Sequence, residues 1–302
     1  MKSDTDQKAF AARRKLAPTQ APRRDRIERA HLKDPGDSSH VMYRYGTAAE
    51  FDGFQQRFWI PVWKVPAGQE APQRVLQYPV CLLVITDEYA RFYGVVSGLS
   101  TTRLSGNGWA VGLMLAPAAG SLLVRGSVAA YTDRYVDLSD VLKQDGARLV
   151  DRVRDVMAPD PHSNDAHCAA MSAYANALRP FLPVDREGEL VNQLVTYVEE
   201  NSDVLRVSQL CDEFELTERT LQRLVHRRLG LTPKWLIQRR RLQDAVERLR
   251  HPPTSSTSDQ STSAVAALLG YADQAHFIRD FSRVTSTTPG RIRQGHRSVT
   301  PT

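Results

Sequence analysis

Two stretches of the chain follow one plan, and that repeat limits the fold more than any other feature. Thr217-x-x-x-Leu221-x-Arg223 matches Asp273-x-x-x-Phe277-x-Arg279, and Gly230-Leu-Thr-Pro233 matches Ser286-Thr-Thr-Pro289. Thr217 and Asp273 each stand where a side-chain oxygen can accept from the free amides of a first helical turn. The spacing predicts one helix from Thr217 to Leu229, stopped by Gly230, and another from Gln274 to about Arg283. At about 100° per residue, Leu221, Leu224 and Val225 form one stripe of the first helix, and Arg219, Gln222, Arg223 and His226 the opposite one. On the second, Phe277 and Phe281 oppose Ala275, His276, Arg279 and Arg283. An ordinary amphipathic surface helix would explain either stripe alone. What precedes them settles the reading: Val207–Phe214 with the turn Glu215-Leu216, and Ala264–Leu269 with the turn at Gly270, are short helices leading into tight turns. The order of helix, turn and polar-faced helix therefore occurs twice, as units 207–230 and 264–284. Between them, residues 233–249 form a linking helix of about 25 Å with Trp235, Leu242, Val246 and Leu249 inward. Residues 251–263, rich in Pro, Ser and Thr, read as a flexible loop.

The remaining chain is long enough for a second domain, with 302 residues of which 41% are hydrophobic. Its longest apolar run, 80–85, falls far short of the ~20 residues a membrane span needs. The first residues lack the apolar core of a signal peptide, so the expected location is cytoplasmic. Cys81, Cys168 and Cys211 are odd in number, far apart and set among apolar neighbours, and read as core residues rather than disulfide or metal ligands. The net charge of +6 is unevenly placed. Between 217 and 241 eight Lys/Arg stand against Glu218 alone, a block that suits a solvated helix face or a polyanionic partner.

Residues 1–40 have few apolar side chains and are expected to be a disordered basic tail. From there to 183 the pattern is a β-rich domain ending in helices. Short runs at 57–60, 62–65, 80–86, 91–96, 109–115 and 121–124, separated by Gly, Pro and Asn turns, predict an antiparallel barrel or sandwich, cupin-like in outline. Residues 41–161 contain no histidine, which removes most support for a metalloenzyme. His162 and His167, with Asp160 and Asp165, read as a solvated helix start rather than a metal cluster. Trp59, Trp63, Tyr78, Tyr89, Phe92, Tyr93 and Trp109 suit either core or the lining of an apolar pocket. Helices are expected over about 141–157 and 163–178, a linker over 179–185, and an amphipathic helix over 189–200.

The pair of units on a linking helix resembles the DNA-binding module of the AraC/XylS family of bacterial transcription regulators, over about residues 187–293. The part before it is similar to β-rich sensor domains that precede such modules. The resemblance implies an α+β chain: a β-rich sensor or dimerisation domain over 41–183, an all-α double helix-turn-helix domain over 184–297, and a short tail over 298–302. It implies that Arg219, Thr220, Gln222 and Arg223, with Gln274, Ala275, His276 and Arg279, face double-stranded DNA, while Arg227, Lys234 and Arg240 meet phosphate or solvent. RNA polymerase, a small-molecule effector and a second copy of the chain through the N-terminal domain are the further partners it suggests. No cofactor, metal, membrane contact or catalytic residue is implied. The chain departs from the family pattern at Ser286, where a glycine is usual, at Ile292, where an aromatic is usual, and in its long 251–263 loop with Thr262. The alternative is a small-molecule enzyme or ligand-sensing domain tethered to a DNA-binding module. No nucleophile elbow, phosphate loop or paired acid marks the N-terminal half.

Overall fold

The computed structural model describes residues 37–76, 78–250 and 261–297, with side chains to residue 293. The expectations for residues 1–36, 251–260 and 298–302 lie outside the described residues.

Strand β1 (His40–Tyr45) pairs antiparallel with β2 (Gln55–Lys64), His40 opposite Trp63 and Tyr45 opposite Phe58. The runs 57–60 and 62–65 are one strand: the pairing with β1 continues through Pro61, and the ladder with the strand on the other side lapses at residues 60 and 61, where a residue without an N–H is tolerated. With β4 (Leu82–Thr86), β5 (Ala90–Tyr93), β7 (Asn107–Leu115) and β8 (Tyr135–Asp137) these form a six-stranded sheet in the order β1-β2-β7-β4-β5-β8. Every described pairing in it is antiparallel. A separate two-stranded ribbon joins β3 (Ala71–Leu76) to β6 (Leu99–Leu104), which the sequence pattern missed, as it did β1 and β8. For β3 and β6 the composition explains it: Ala-Pro-Gln-Arg and Leu-Ser-Thr-Thr-Arg carry little of the apolar alternation that marks a strand.

Because successive residues point to opposite sides of a strand, the six-stranded sheet has two distinct faces. Phe58, Ile60, Leu83, Ile85, Val111 and Leu113 are buried on one face. They pack there with α2 (Leu138–Met157) and α3 (Asn164–Leu178), whose Tyr174 hydroxyl donates to the Val111 carbonyl at 2.8 Å. Residues 121–123 of the run expected as a strand at 121–124 instead belong to a short helix, α1 (Ala119–Leu123). Leu123 is buried and Leu122 and Val124 half-buried, and an apolar run this short is compatible with either structure.

His167 is fully buried, against the expectation of a solvated helix start. Its Nε2 donates to the Pro161 carbonyl at 2.8 Å, leaving Nδ1 to accept the Tyr45 hydroxyl at 2.6 Å. The Tyr43 ring packs against that of His167 at a 58° tilt, and the Tyr43 hydroxyl reaches His162. No metal-holding cluster of His, Cys, Asp or Glu occurs among the described residues. Of the cysteines Cys81 is buried in the core, Cys211 is half-buried and packed against it, and Cys168 is exposed.

The C-terminal third is helical: α4 (Arg186–Glu200), α5 (Val207–Phe214), α6 (Glu218–Leu229), α7 (Pro233–Arg250), α8 (Thr262–Leu268), α9 (Gln274–Thr285) and α10 (Pro289–Arg297). Thr262 and Ser263 belong to α8 rather than the loop, since the Ser261 hydroxyl caps the Ala264 amide at 3.1 Å. Among the described residues, no helix is long and apolar enough to cross a membrane.

Candidate nucleic-acid interface

Helices α6 and α9 are built alike. The Thr217 hydroxyl accepts from the Thr220 amide at 3.2 Å, and the Asp273 carboxylate accepts from the His276 amide at 2.7 Å. Each helix ends on a left-handed residue, Gly230 at φ 69° and Ser286 at φ 53°. Leu221 and Phe277 are fully buried at the centre of their units. The opposite faces are in solvent: Arg219, Gln222 and Arg223 on α6, and Gln274, Ala275, His276 and Arg279 on α9, are exposed. Thr220 is half-buried and its hydroxyl accepts from Thr217, so it completes the cap. The Gln222 amide donates to Glu218 at 2.9 Å, and His276 lies edge-on to Tyr271 with Nε2 3.6 Å from Asp280.

Asp280 fastens α9 to the linking helix. It accepts from Gln238 of α7 at 2.6 Å and from Arg283 at 3.1 Å. The first unit is fastened to the rest of the chain by Arg228, buried at the end of α6. Its guanidinium donates to Asp185 at 2.5 Å, Glu187 at 2.8 Å and the Ser121 hydroxyl at 3.0 Å. Partial burial disfavours the Asp185 carboxylate, but the hydrogen bonds from Arg228 and the Gly188 amide outweigh it and hold the pKa below the ordinary value.

This changes the meaning of the basic block at 217–241. Arg228, Arg239 and Arg240 are buried. Arg240, expected at phosphate or solvent, donates to the Ser202 and Val204 carbonyls and to Asp244. Arg227 pairs with Glu187, and Arg241 lies 4.0 Å over the Tyr271 ring. Arg219, Arg223, Arg227 and Lys234 are the exposed cations of that block. A run of charge carries no information about which members face inward; a helix of guanidiniums can staple carbonyl ends as readily as it can face phosphate.

The second feature of the molecule is a cavity of about 200 Å³ between the six-stranded sheet and the ribbon. Trp59, Trp63, Tyr89 and Tyr93 line it, together with Arg44 and Arg57, whereas Phe92 and Trp109 lie in the core. Each tryptophan lies across a glycine: Trp59 is paired with Gly112 and Trp63 with Gly108. A Cβ on Gly112 would stand 2.3 Å from the Trp59 ring and one on Gly108 2.4 Å from that of Trp63. Glycine there lets the indoles lie flat and leaves the space above them open. Two glycines four apart, opposite two tryptophans four apart, were the available sequence signal for this floor.

An N-capped helix pair joined by a tight turn, repeated on a shared linking helix with polar outer faces, is a double helix-turn-helix domain. The family profile described as a helix-turn-helix domain matches residues 210–295, and one described as a domain of unknown function (DUF6597) matches residues 44–137. Among curated proteins, the chain is 35% identical over 106 residues to the HTH-type transcriptional activator RhaS of Escherichia fergusonii, covering 35% of this chain and 36% of that protein. It is 35% identical over 110 residues to the RhaS of Citrobacter koseri, covering 36% of this chain and 37% of that one. The chain thus spans little more than a third of the length of these relatives. Among solved structures, ToxT from Vibrio cholerae O395 is similar at 14% identity and a TM-score of 0.35, over 87% of this chain and 100% of ToxT.

Proposed function

We propose that the chain is a transcription regulator that reads two short blocks of duplex DNA, one with α6 and one with α9, and that its β cavity receives a small-molecule effector. The observation that carries this is the pair of capped helices presenting Arg219, Gln222 and Arg223, and Gln274, His276 and Arg279, to solvent while their opposite faces are core. Arg pairs bidentately with guanine and Gln with adenine in the major groove, which is wide enough to admit a helix. The exposed Arg227, Lys234 and Arg283 suit phosphate contacts that position the helices without reading sequence. The tethering of α9 to α7 through Gln238 and Asp280 supports a set spacing, about one DNA turn or ~34 Å between blocks. For the cavity, the flat aromatic floor and the nearby Arg44 and Arg57 favour a planar or elongated apolar molecule with an anionic end. The domain boundaries proposed are 41–183 for the effector-binding part and 184–297 for the DNA-binding part, with RNA polymerase and a second copy of the chain as further partners.

Binding-site selection on the full chain tests this. Arg223→Ala should relax sequence preference within one block at a cost of about 1–3 kcal/mol, and Arg279→Ala should do so in the other. Uniformly weaker binding with unchanged preference, and a salt slope lowered by about one, would instead assign both arginines to phosphate.

A further inference from the structure

The apolar interior divides along a line that does not follow the domain boundary. One core is continuous from the six-stranded sheet through α2, α3 and α4 into the first unit, where Leu221, Leu224, Val225 and Leu229 join it, and ends at Leu236 and Ile237 on α7. A second core holds the far half of α7, from Leu242 to Leu249, with Phe277 and Phe281 of the second unit. From the β-rich part this second core takes Leu76, with Leu99 packed against it, and both belong to the ribbon.

Polar contacts also join the ribbon's base to α7. The Arg239 guanidinium, almost wholly buried, donates to the Leu76 carbonyl at 2.9 Å and lies 4.5 Å over the Tyr78 ring. The Trp235 indole donates to the Ser97 carbonyl at 2.9 Å. Both ends of the ribbon's base are thus pinned to α7, one at the last residue of β3 and the other just before β6. The body of the ribbon, through Val75, Ser100 and Leu104, roofs the aromatic cavity whose floor is the six-stranded sheet. The ribbon shares no ladder with that sheet. A two-stranded ribbon has little stability of its own, so its height above the floor follows what lies beneath it.

We infer that the ribbon is the lever by which the contents of the cavity set the position of the second helix-turn-helix unit, leaving the first unit fixed to the sheet. Filling the cavity lifts Val75 and Leu104, the displacement passes through Leu76, Leu99 and Arg239 to the far half of α7, and the distance between α6 and α9 changes. The use of this lever by an effector rests on the reading of the cavity and the two helices given above; the mechanical coupling does not.

The coupling is tested without DNA or effector, by hydrogen–deuterium exchange on the full chain. Val75→Trp fills the cavity from the roof and Ala110→Phe from the floor, so a folding failure of one leaves the other to be read. The expected result is a change of about five-fold or more in exchange of α8 and α9 amides, with α5 and α6 amides within about two-fold of wild type. In a background carrying Leu99→Ser and Arg239→Met, filling the cavity should no longer alter α8 and α9. Equal changes in both units, no change in either, or a response that survives that background would overturn the inference. A chain that shows the coupling but selects no duplex would overturn the functional reading alone.

Discussion

Asp37 shows what one carboxylate hydrogen-bonded to Ser39 and to Gln73 of the ribbon contributes. Partial burial disfavours its charged form, yet hydrogen bonds from Ser39 and Gln73 prevail and bring its pKa to about 2 from 3.8. A carboxyl whose folded pKa is depressed contributes stability above its unfolded pKa and loses it as pH falls through the folded value. Discounted for solvent screening of a carboxyl near the surface, wild type should therefore exceed Asp37→Asn by about 1 kcal/mol at pH 7, a margin that shrinks between about pH 4 and pH 2. Urea melts of both proteins across that range check it; a margin that does not vary with pH would remove the carboxylate from the account. Arg228 and Arg223 offer a contrast at the same scale. Arg228→Ala breaks charge-assisted hydrogen bonds to Asp185 and Glu187, and should lower stability by about 1–3 kcal/mol while leaving selected DNA sequences unchanged. Arg223→Ala should do the reverse, since the side chain lies in solvent. Melting temperature and binding-site selection on the two variants separate the roles.

At the scale of the element, α6 and α9 each close on a residue in the left-handed conformation, but of different chemistry. Gly230 sits at φ 69°, and a Cβ there would stand 2.1 Å from the Thr132 hydroxyl oxygen, so Gly230→Ala strains the backbone and pushes the first unit off the β-rich part. Ser286 holds φ 53° with a Cβ already present. Ser286→Gly should stabilise the second unit by up to about 1 kcal/mol, and Gly230→Ala should destabilise the first by more than that. Opposite shifts in thermal midpoint are the expected result, and shifts of one sign would contradict the cap geometry. Both helices depend on one central apolar residue. Leu221→Ala and Phe277→Ala should each cost about 2–5 kcal/mol, as judged by denaturant melts. Because Leu221 lies in the core shared with the sheet and Phe277 in the smaller one, the first should loosen the β-rich part as well.

At the scale of the whole molecule, the β-rich part and the first helix-turn-helix unit are one packed body. The Thr132 hydroxyl donates to the Gly230 carbonyl at 3.1 Å, and α6 rests on the turn at 128–131. Residues 185–302 in isolation should therefore bind duplex DNA with steep salt dependence, but melt at lower temperature than in the full chain. Calorimetry of fragment and full chain compares them, and equal midpoints would deny that the shared core contributes.

The helix-turn-helix units were legible because their signals are local. Thr217, Asp273 and Gly230 cap within one turn, and Leu221 and Phe277 follow helical periodicity, so neighbours in sequence carried the whole argument. The exposed faces bearing Arg223 and Arg279 followed from the same phase. The antiparallel sheet was legible in outline, from alternation and turns, while β3 and β6 escaped because a polar ribbon shows no alternation to count. What only tertiary structure decided is where long-range partners meet. No local pattern tells that Arg239 and Arg240 face carbonyls rather than phosphate, or that His167 is sealed between Tyr45 and Pro161. Nor does any local pattern tell that Leu76 joins the core of a helix pair almost two hundred residues away. Helix phase is set by hydrogen bonds four residues apart; the choice of what a helix packs against is set by the shape of surfaces that the chain creates only on folding.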